Sequence, residues 1–231
     1  MRLQLPTTTL VCIDCIDSKR AIRVLEHCKS MVDFGDVKLL SSIPTDYEHR
    51  VRIMPLNSLI AYSIFMLTRF HEFIDTPSCL IVQRDGWILN PQSFNPEWLG
   101  LDYIGPLFMQ MDRVGSGGFS LRSKKIMQAV SKTMPSWDGT QKSAELIQAQ
   151  TPFYEDGMLS LTGFSKNYKI ASNEQAADFA NGGNRNPLYF REKCFGFHRT
   201  FADICFASGR VDCSDVTKGI QSTYDHVIDT L

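Results

Sequence analysis

Leu80-Ile81-Val82 is a run of apolar β-formers that breaks off into Gln83-Arg84-Asp85-Gly86-Trp87. An apolar run of this kind fits a strand buried inside an α/β sheet, and open sheets of that class bind ligands beyond the carboxyl ends of their strands. The run therefore brings Asp85 to the rim where a ligand would sit. Asp85-Gly86 is equally a turn pair that simply closes a strand, and the residues on either side must decide between the two.

Upstream, strands and helices alternate. Leu10 to Cys15 reads as a buried first strand with Asp14 near its end, and Asp17 or Ser18 caps a helix that turns Ile22, Leu25 and Met31 inward. Val37 to Leu40 is a short second strand. After the Pro44 to Pro55 connection, Asn57 caps a long amphipathic helix carrying Leu59, Ile60, Ile64, Phe65, Leu67 and Phe73, and Cys79 to Val82 follows as the third strand. The β-α-β-α-β order predicts a largely parallel sheet like the nucleotide-binding half of a doubly wound fold. Downstream, Leu101 to Ile104 and the segment after Val114 read as short strands, Lys124 to Lys132 as a helix, and Asp156 opens another helix through Leu161. Residues 181–187, Asn-Gly-Gly-Asn-Arg-Asn-Pro, have loop composition, as a solvent loop or as a ligand contact.

Composition narrows the class. With 231 residues, 43% hydrophobic and 21% charged, the chain is long enough for one domain with a sizeable core. The expectation is a single α/β domain over 1–231, with a nucleotide-binding half at 1–105 and a mixed, loop-rich half at 106–231. A net charge of -1 gives no global pull toward nucleic acid or an anionic membrane. The start of the chain fits neither a secretory signal nor a spanning helix, and the apolar stretch from Leu59 to Leu67 falls far short of the roughly 20 residues a bilayer requires. A cytoplasmic protein without membrane association is expected. Seven scattered cysteines do not read as a disulfide framework. Cys12 and Cys15 form a C-x-x-C inside an apolar run, and Cys194, Cys205 and Cys213 supply no second pair at zinc spacing, so buried small hydrophobes are the plainer reading.

The block Gly115-Ser116-Gly117-Gly118-Phe119-Ser120-Leu121-Arg122-Ser123 is neither a dinucleotide fingerprint nor a Walker loop. Gly117 and Gly118 either form a hairpin turn or bring bare backbone N–H groups against a hydroxyl or phosphate, where a side chain would collide. Trp87 and Trp98 are core residues or an apolar wall for a sugar ring.

Taken together, Leu80 to Gly86, Leu101-Asp102-Tyr103-Ile104-Gly105, Val114 to Ser123, Glu155-Asp156 and Phe195-Gly196-Phe197-His198 resemble the DUF5672 family of glycosyltransferase-like proteins, five blocks in the same order over more than half the chain. The resemblance implies a GT-A-like α/β fold and a transferase that moves a sugar from a nucleotide-sugar donor, for which a UDP-linked sugar is one candidate, to an acceptor hydroxyl. It implies that Asp85 meets the donor's ribose or, through Mn²⁺ or Mg²⁺, its diphosphate. His198 is implied as the second metal ligand or a phosphate contact. Asp14, Asn57, Tyr62, Gly117 and Gly118 complete the expected donor contacts. Where enzymes of this fold commonly carry Asp-x-Asp, this chain has Gln83, a weaker partner for Mg²⁺ than a carboxylate; Arg84 offsets some phosphate charge.

Asp156, with Glu155 beside it, resembles the position that faces the acceptor hydroxyl and takes its proton. A helix N-terminal acid favoured by the macrodipole accounts for the same residues. The acceptor is a saccharide, a protein or a hydroxylated base in DNA; for DNA modification the sequence offers Arg113, Arg122, Lys124 and Lys125 near the glycine block, which a solvated helix face explains as well. The alternative to an enzyme is a sugar-nucleotide-binding module without chemistry.

Overall fold

A computed structural model describes residues 2–108, 111–162, 166–182, 187–189 and 191–198. Its amino-terminal half runs β1 (Leu3–Ile13), α1 (Ser18–Met31), β2 (Val32–Ser41), β3 (Arg50–Arg52), α2 (Leu59–Thr68) and β4 (Ser78–Val82). The remainder adds β5 (Tyr103–Ile104), β6 (Ser120–Ser123), α3 (Lys124–Ser131), α4 (Gln141–Gln148), α5 (Glu155–Ser160), α6 (Asn173–Phe179), β7 (Ala180–Asn181) and β8 (Gly196–Phe197). The main sheet has the order β3-β2-β1-β4-β6-β5. Its first four strands are parallel, whereas β6 runs antiparallel to both β4 and β5. This is the expected α/β class: a parallel β-α-β half followed by a mixed half.

The chain adds β2 and β3 on one side of β1, then crosses to lay β4 on the other side. The carboxyl ends of β1 and β4 thus diverge at a topological switch point, where a sheet of this kind opens a crevice. Both strands are held deep in the core. All five residues of β4 are buried, and Leu10, Val11 and Cys12 of β1 are fully so. Helix α1 packs on β1 and β2, and α2 packs against α3, α4 and α5.

Several elements differ from the expectation. The first strand begins at Leu3 rather than Leu10, and its pairing with β2 is irregular between Leu5 and Thr9. Pro6 sits in that irregularity, where a missing N–H is tolerated. An additional strand, β3, lies within the Pro44 to Pro55 connection. Helix α2 is capped by Ser58, whose Oγ accepts the Ala61 N–H at 3.0 Å, and not by Asn57. It is buried around most of its circumference instead of amphipathic: Ala61 and Ser63 to Leu67 are covered, while Leu59 is exposed and Phe73 belongs to a following 3₁₀ turn. Asp17 does cap α1, accepting the Arg20 N–H at 3.1 Å. Residues 183–186 of the expected loop, with Cys205 and Cys213, lie outside the described residues. Among the described residues no helix is long and apolar enough to cross a membrane.

Candidate active site

A cleft of about 470 Å³ opens at the switch point, lined by residues that include Asp14, Asn57, Ser58, Tyr62, Gln83, Arg84 and Asp85. Asp14 follows the last residue of β1 and is almost fully buried. Its Oδ1 accepts the N–H groups of Ile16 and Asp17 at 2.7 and 2.8 Å, so the carboxylate organises the loop that starts α1. Its Oδ2 lies 3.7 Å from Arg84 Nη1 across the cleft. Arg84 and Asp85 occupy the tip of a two-residue hairpin in which Gln83 and Gly86 exchange N–H···O bonds of 3.0 and 2.9 Å. Asp85-Gly86 is therefore both a turn and part of a cleft wall.

His198, after β8, reaches the same tip. Its Nε2 is 3.9 Å from Asp85 Oδ1 and 3.2 Å from Gln83 Oε1, while Nδ1 is 2.8 Å from Ser116 Oγ. Gln83 Nε2 in turn donates to the Tyr62 hydroxyl at 3.1 Å. Gly118 must be glycine for this cluster to close, because a Cβ there would overlap His198 Nε2 and lie 2.5 Å from Gln83 Oε1. The structure thus brings Asp85 and His198 to one place, with room for His198 left by a glycine loop that the strand pattern alone did not reveal.

The neighbouring residue, Gly117, faces the other way. A Cβ on it would lie 2.5 Å from Glu155 Oε1, 2.7 Å from Arg122 Nη2 and 3.2 Å from Asp156 Cβ. The Gly117 carbonyl accepts Ser120 Oγ at 2.8 Å and Arg122 Nη2 at 3.3 Å, while the Asp156 carboxylate accepts the Gly157 N–H at 2.7 Å. Arg122 is fully buried within β6 and pairs with Glu155 at 3.0 Å. Glu155 is itself only 4% exposed, whereas Asp156 reaches solvent in part. Burial, followed by the Glu155 charge, pushes the Asp156 carboxyl up to about 7, against opposing contributions from the Gly157 and Gly117 amides and Arg122. Successive glycines therefore join the Asp85–His198 cluster to Asp156.

Two of the readings left open by the sequence are decided against a ligand role. Trp87 and Trp98 are buried in an aromatic core with Phe94, Phe179, Phe195 and Phe197, and neither forms an exposed wall for a sugar. Arg122 cannot contribute to a basic surface for DNA, since it is enclosed by Glu155, Gly117 and the Tyr103 ring. Lys125 beside it bonds Asp102 at 3.3 Å. Cys12 and Cys15 carry free thiols, Cys12 wholly buried with its thiol pushed up by that burial. Sequence reasoning missed Ser116 as the partner of His198 and Arg122 as the partner of Glu155. The serine was visible inside the glycine block, but nothing local marked Arg122 as internal.

Fold and cleft define an α/β protein with a polar crevice at its switch point. The family model described as "Protein of unknown function (DUF5672)" matches residues 49–198, more than half of the chain, and the protein belongs to that family. No curated protein matches it. Among solved structures, it is similar to a glycosyltransferase involved in the glycosylation of the major capsid of PBCV-1, with 13% identity, a TM-score of 0.48, and 84% of this chain and 92% of that one covered. A protein from STIV is similar at 14% identity and a TM-score of 0.38, covering 75% of this chain and 83% of that one. Similarity this distant does not transfer chemistry.

Proposed function

We propose that the protein is a glycosyltransferase that binds a nucleotide-sugar donor in the switch-point cleft and transfers its sugar to an acceptor hydroxyl beside Asp156. The observation that carries this reading is the glycine pair: Gly118 backs the Asp85–His198 cluster and Gly117 backs Asp156, so a leaving-group end and a base end meet at one loop. A nucleoside fits the Asp14, Asn57 and Tyr62 side of the cleft, and a diphosphate fits the Asp85 tip.

The charged groups lining the cleft are Asp14, Asp85 and Arg84, a net of -1. A diphosphate would be repelled by that balance, so a divalent cation is expected with the donor. Among the described residues no three His, Cys, Asp or Glu side chains gather around one metal position, so Mn²⁺ or Mg²⁺ would be held by few protein groups and take its other ligands from the donor's phosphates and water. Asp85 supplies a carboxylate, and His198 would present an Nε2 lone pair once its proton lay on Nδ1 and was donated to Ser116, the kind of outer partner that supports a metal-ligating histidine. With its amide oxygen turned the same way, Gln83 would be a third, neutral donor. A cation held there would stabilise the charge that gathers on the diphosphate as it departs.

The protein's own part in the transfer falls to Asp156. Ionised, it takes the proton of the acceptor hydroxyl while that oxygen bonds to the anomeric carbon. The bond from that carbon to the diphosphate oxygen breaks, its electron pair leaving on the nucleoside diphosphate. Such a single displacement inverts the anomeric centre. A carboxyl titrating near neutrality suits the role, which is worth roughly 10² to 10⁴ in rate. A binding module without chemistry is the second reading, favoured by Gln83 in place of an acid.

Incubation with a panel of nucleotide sugars and Mn²⁺ separates these readings. The enzyme reading expects slow release of nucleoside diphosphate and free sugar, lost in Asp85→Asn and Asp156→Asn variants that remain folded at the assay temperature. Binding without turnover across a broad acceptor panel would establish the module, and cleavage between the two phosphates would refute glycosyl transfer.

A further inference from the structure

We infer that the buried Arg122–Glu155 ion pair is the positioning element of the acceptor side, fixing the Gly117 peptide against the first turn of α5 so that Asp156, and not Glu155, presents its carboxylate to the acceptor. The inference rests on the reading of Asp156 as the base and assigns Glu155 a role outside the chemistry.

The geometry separates the adjacent acids. Glu155 is enclosed, and its Oε1 is taken by Arg122 at 3.0 Å. The same Arg122 nitrogen, Nη2, donates to the Gly117 carbonyl at 3.3 Å, and Arg122 Nε is anchored to Ser120 Oγ at 3.0 Å. One guanidinium thus ties β6, the glycine loop and α5 together. A planar fork can do this where a single ammonium cannot. Gly117 also backs Asp156, whose Cβ would lie 3.2 Å from a Cβ built on that glycine. Because Gly117 is packed against Arg122, Glu155 and Asp156 at once, displacing Arg122 would shift the backbone on which Asp156 rests.

The pair also sets the charge around Asp156. The groups that face it are Glu155 on its own helix, Arg122 on β6, the Tyr103 phenol on β5, and the Gly117 and Gly157 amides. Glu155 raises the Asp156 carboxyl and Arg122 lowers it. Glu155→Gln removes the repelling charge and leaves the Arg122 cation in place, so the balance shifts toward ionised Asp156.

The test is a carboxyl-carbon NMR titration of Asp156, assigned by its loss in Asp156→Asn, together with the pH profile of donor turnover. Wild-type Asp156 is expected to titrate near 7. In Glu155→Gln the midpoint and the acid limb of turnover should both move down by about one pH unit or more. An unmoved Asp156 midpoint in a folded Glu155→Gln protein would overturn the inference. Arg122→Lys supplies a second arm, with turnover expected to fall at least tenfold at unchanged donor KM; turnover within twofold of wild type would equally overturn it. Full turnover by Asp156→Asn would instead defeat the reading of Asp156 as the base, whatever the titration of Asp156 showed.

Discussion

Gly118 is the position at which one methyl group decides the site. A Cβ there would press on His198 and Gln83 together, and both are held from behind by Ser116 and Tyr62. Gly118→Ala is expected to cost about 1 to 3 kcal/mol in chemical denaturation, the usual range for overpacking, and to abolish donor turnover. Asp156 gives a second residue-scale prediction. Its carboxyl titrates near 3.8 in the unfolded chain and near 7 in the folded one, so the folded state holds a proton that the unfolded state has released. The associated stability is fully present below pH 3.8 and declines as pH rises toward 7. Asp156→Asn should flatten that part of the stability profile. A slope in this window that persisted in Asp156→Asn would assign it to other groups.

Among the elements, legibility followed burial. Strand β4 could be read to within one residue because it is covered on both faces, which demands an unbroken apolar run. Strand β1 was shortened because Pro6 and three threonines precede Leu10, although the irregular pairing there tolerates them. The three residues of β3 leave no periodic signal at all. Arg122 reads as a surface cation beside Lys124, yet it sits inside β6 because Glu155, far along the chain, neutralises it. Such long-range pairing is invisible to local pattern. The cap of α2 separates stability from function in neighbouring residues. Ser58→Ala is expected to lower stability by about 1 kcal/mol, since it removes the cap and the bond to Gln141 that ties α2 to α4. Asn57→Ala should leave stability within about 0.5 kcal/mol of wild type and weaken donor binding. Urea denaturation and calorimetric titration read the two effects.

For the whole molecule, the parallel half presents β1 and β4 to one crevice, and the mixed half returns the glycine loop, α5 and β8 to its edge. Charge links the halves. Because the cleft is net negative without a cation, chelation of divalent ions should weaken nucleotide-sugar binding at least tenfold, a loss of about 1.4 kcal/mol or more. Affinity unchanged by chelator would remove the cation from the account. The most direct measurement is a crystal structure of the protein with Mn²⁺ and a non-hydrolysable nucleotide sugar. The account predicts the nucleoside beside Asp14, Asn57 and Tyr62, the diphosphate at Asp85 and His198, and the anomeric carbon facing Asp156. A saturating ligand that left this cleft empty, or settled elsewhere on the molecule, would contradict it.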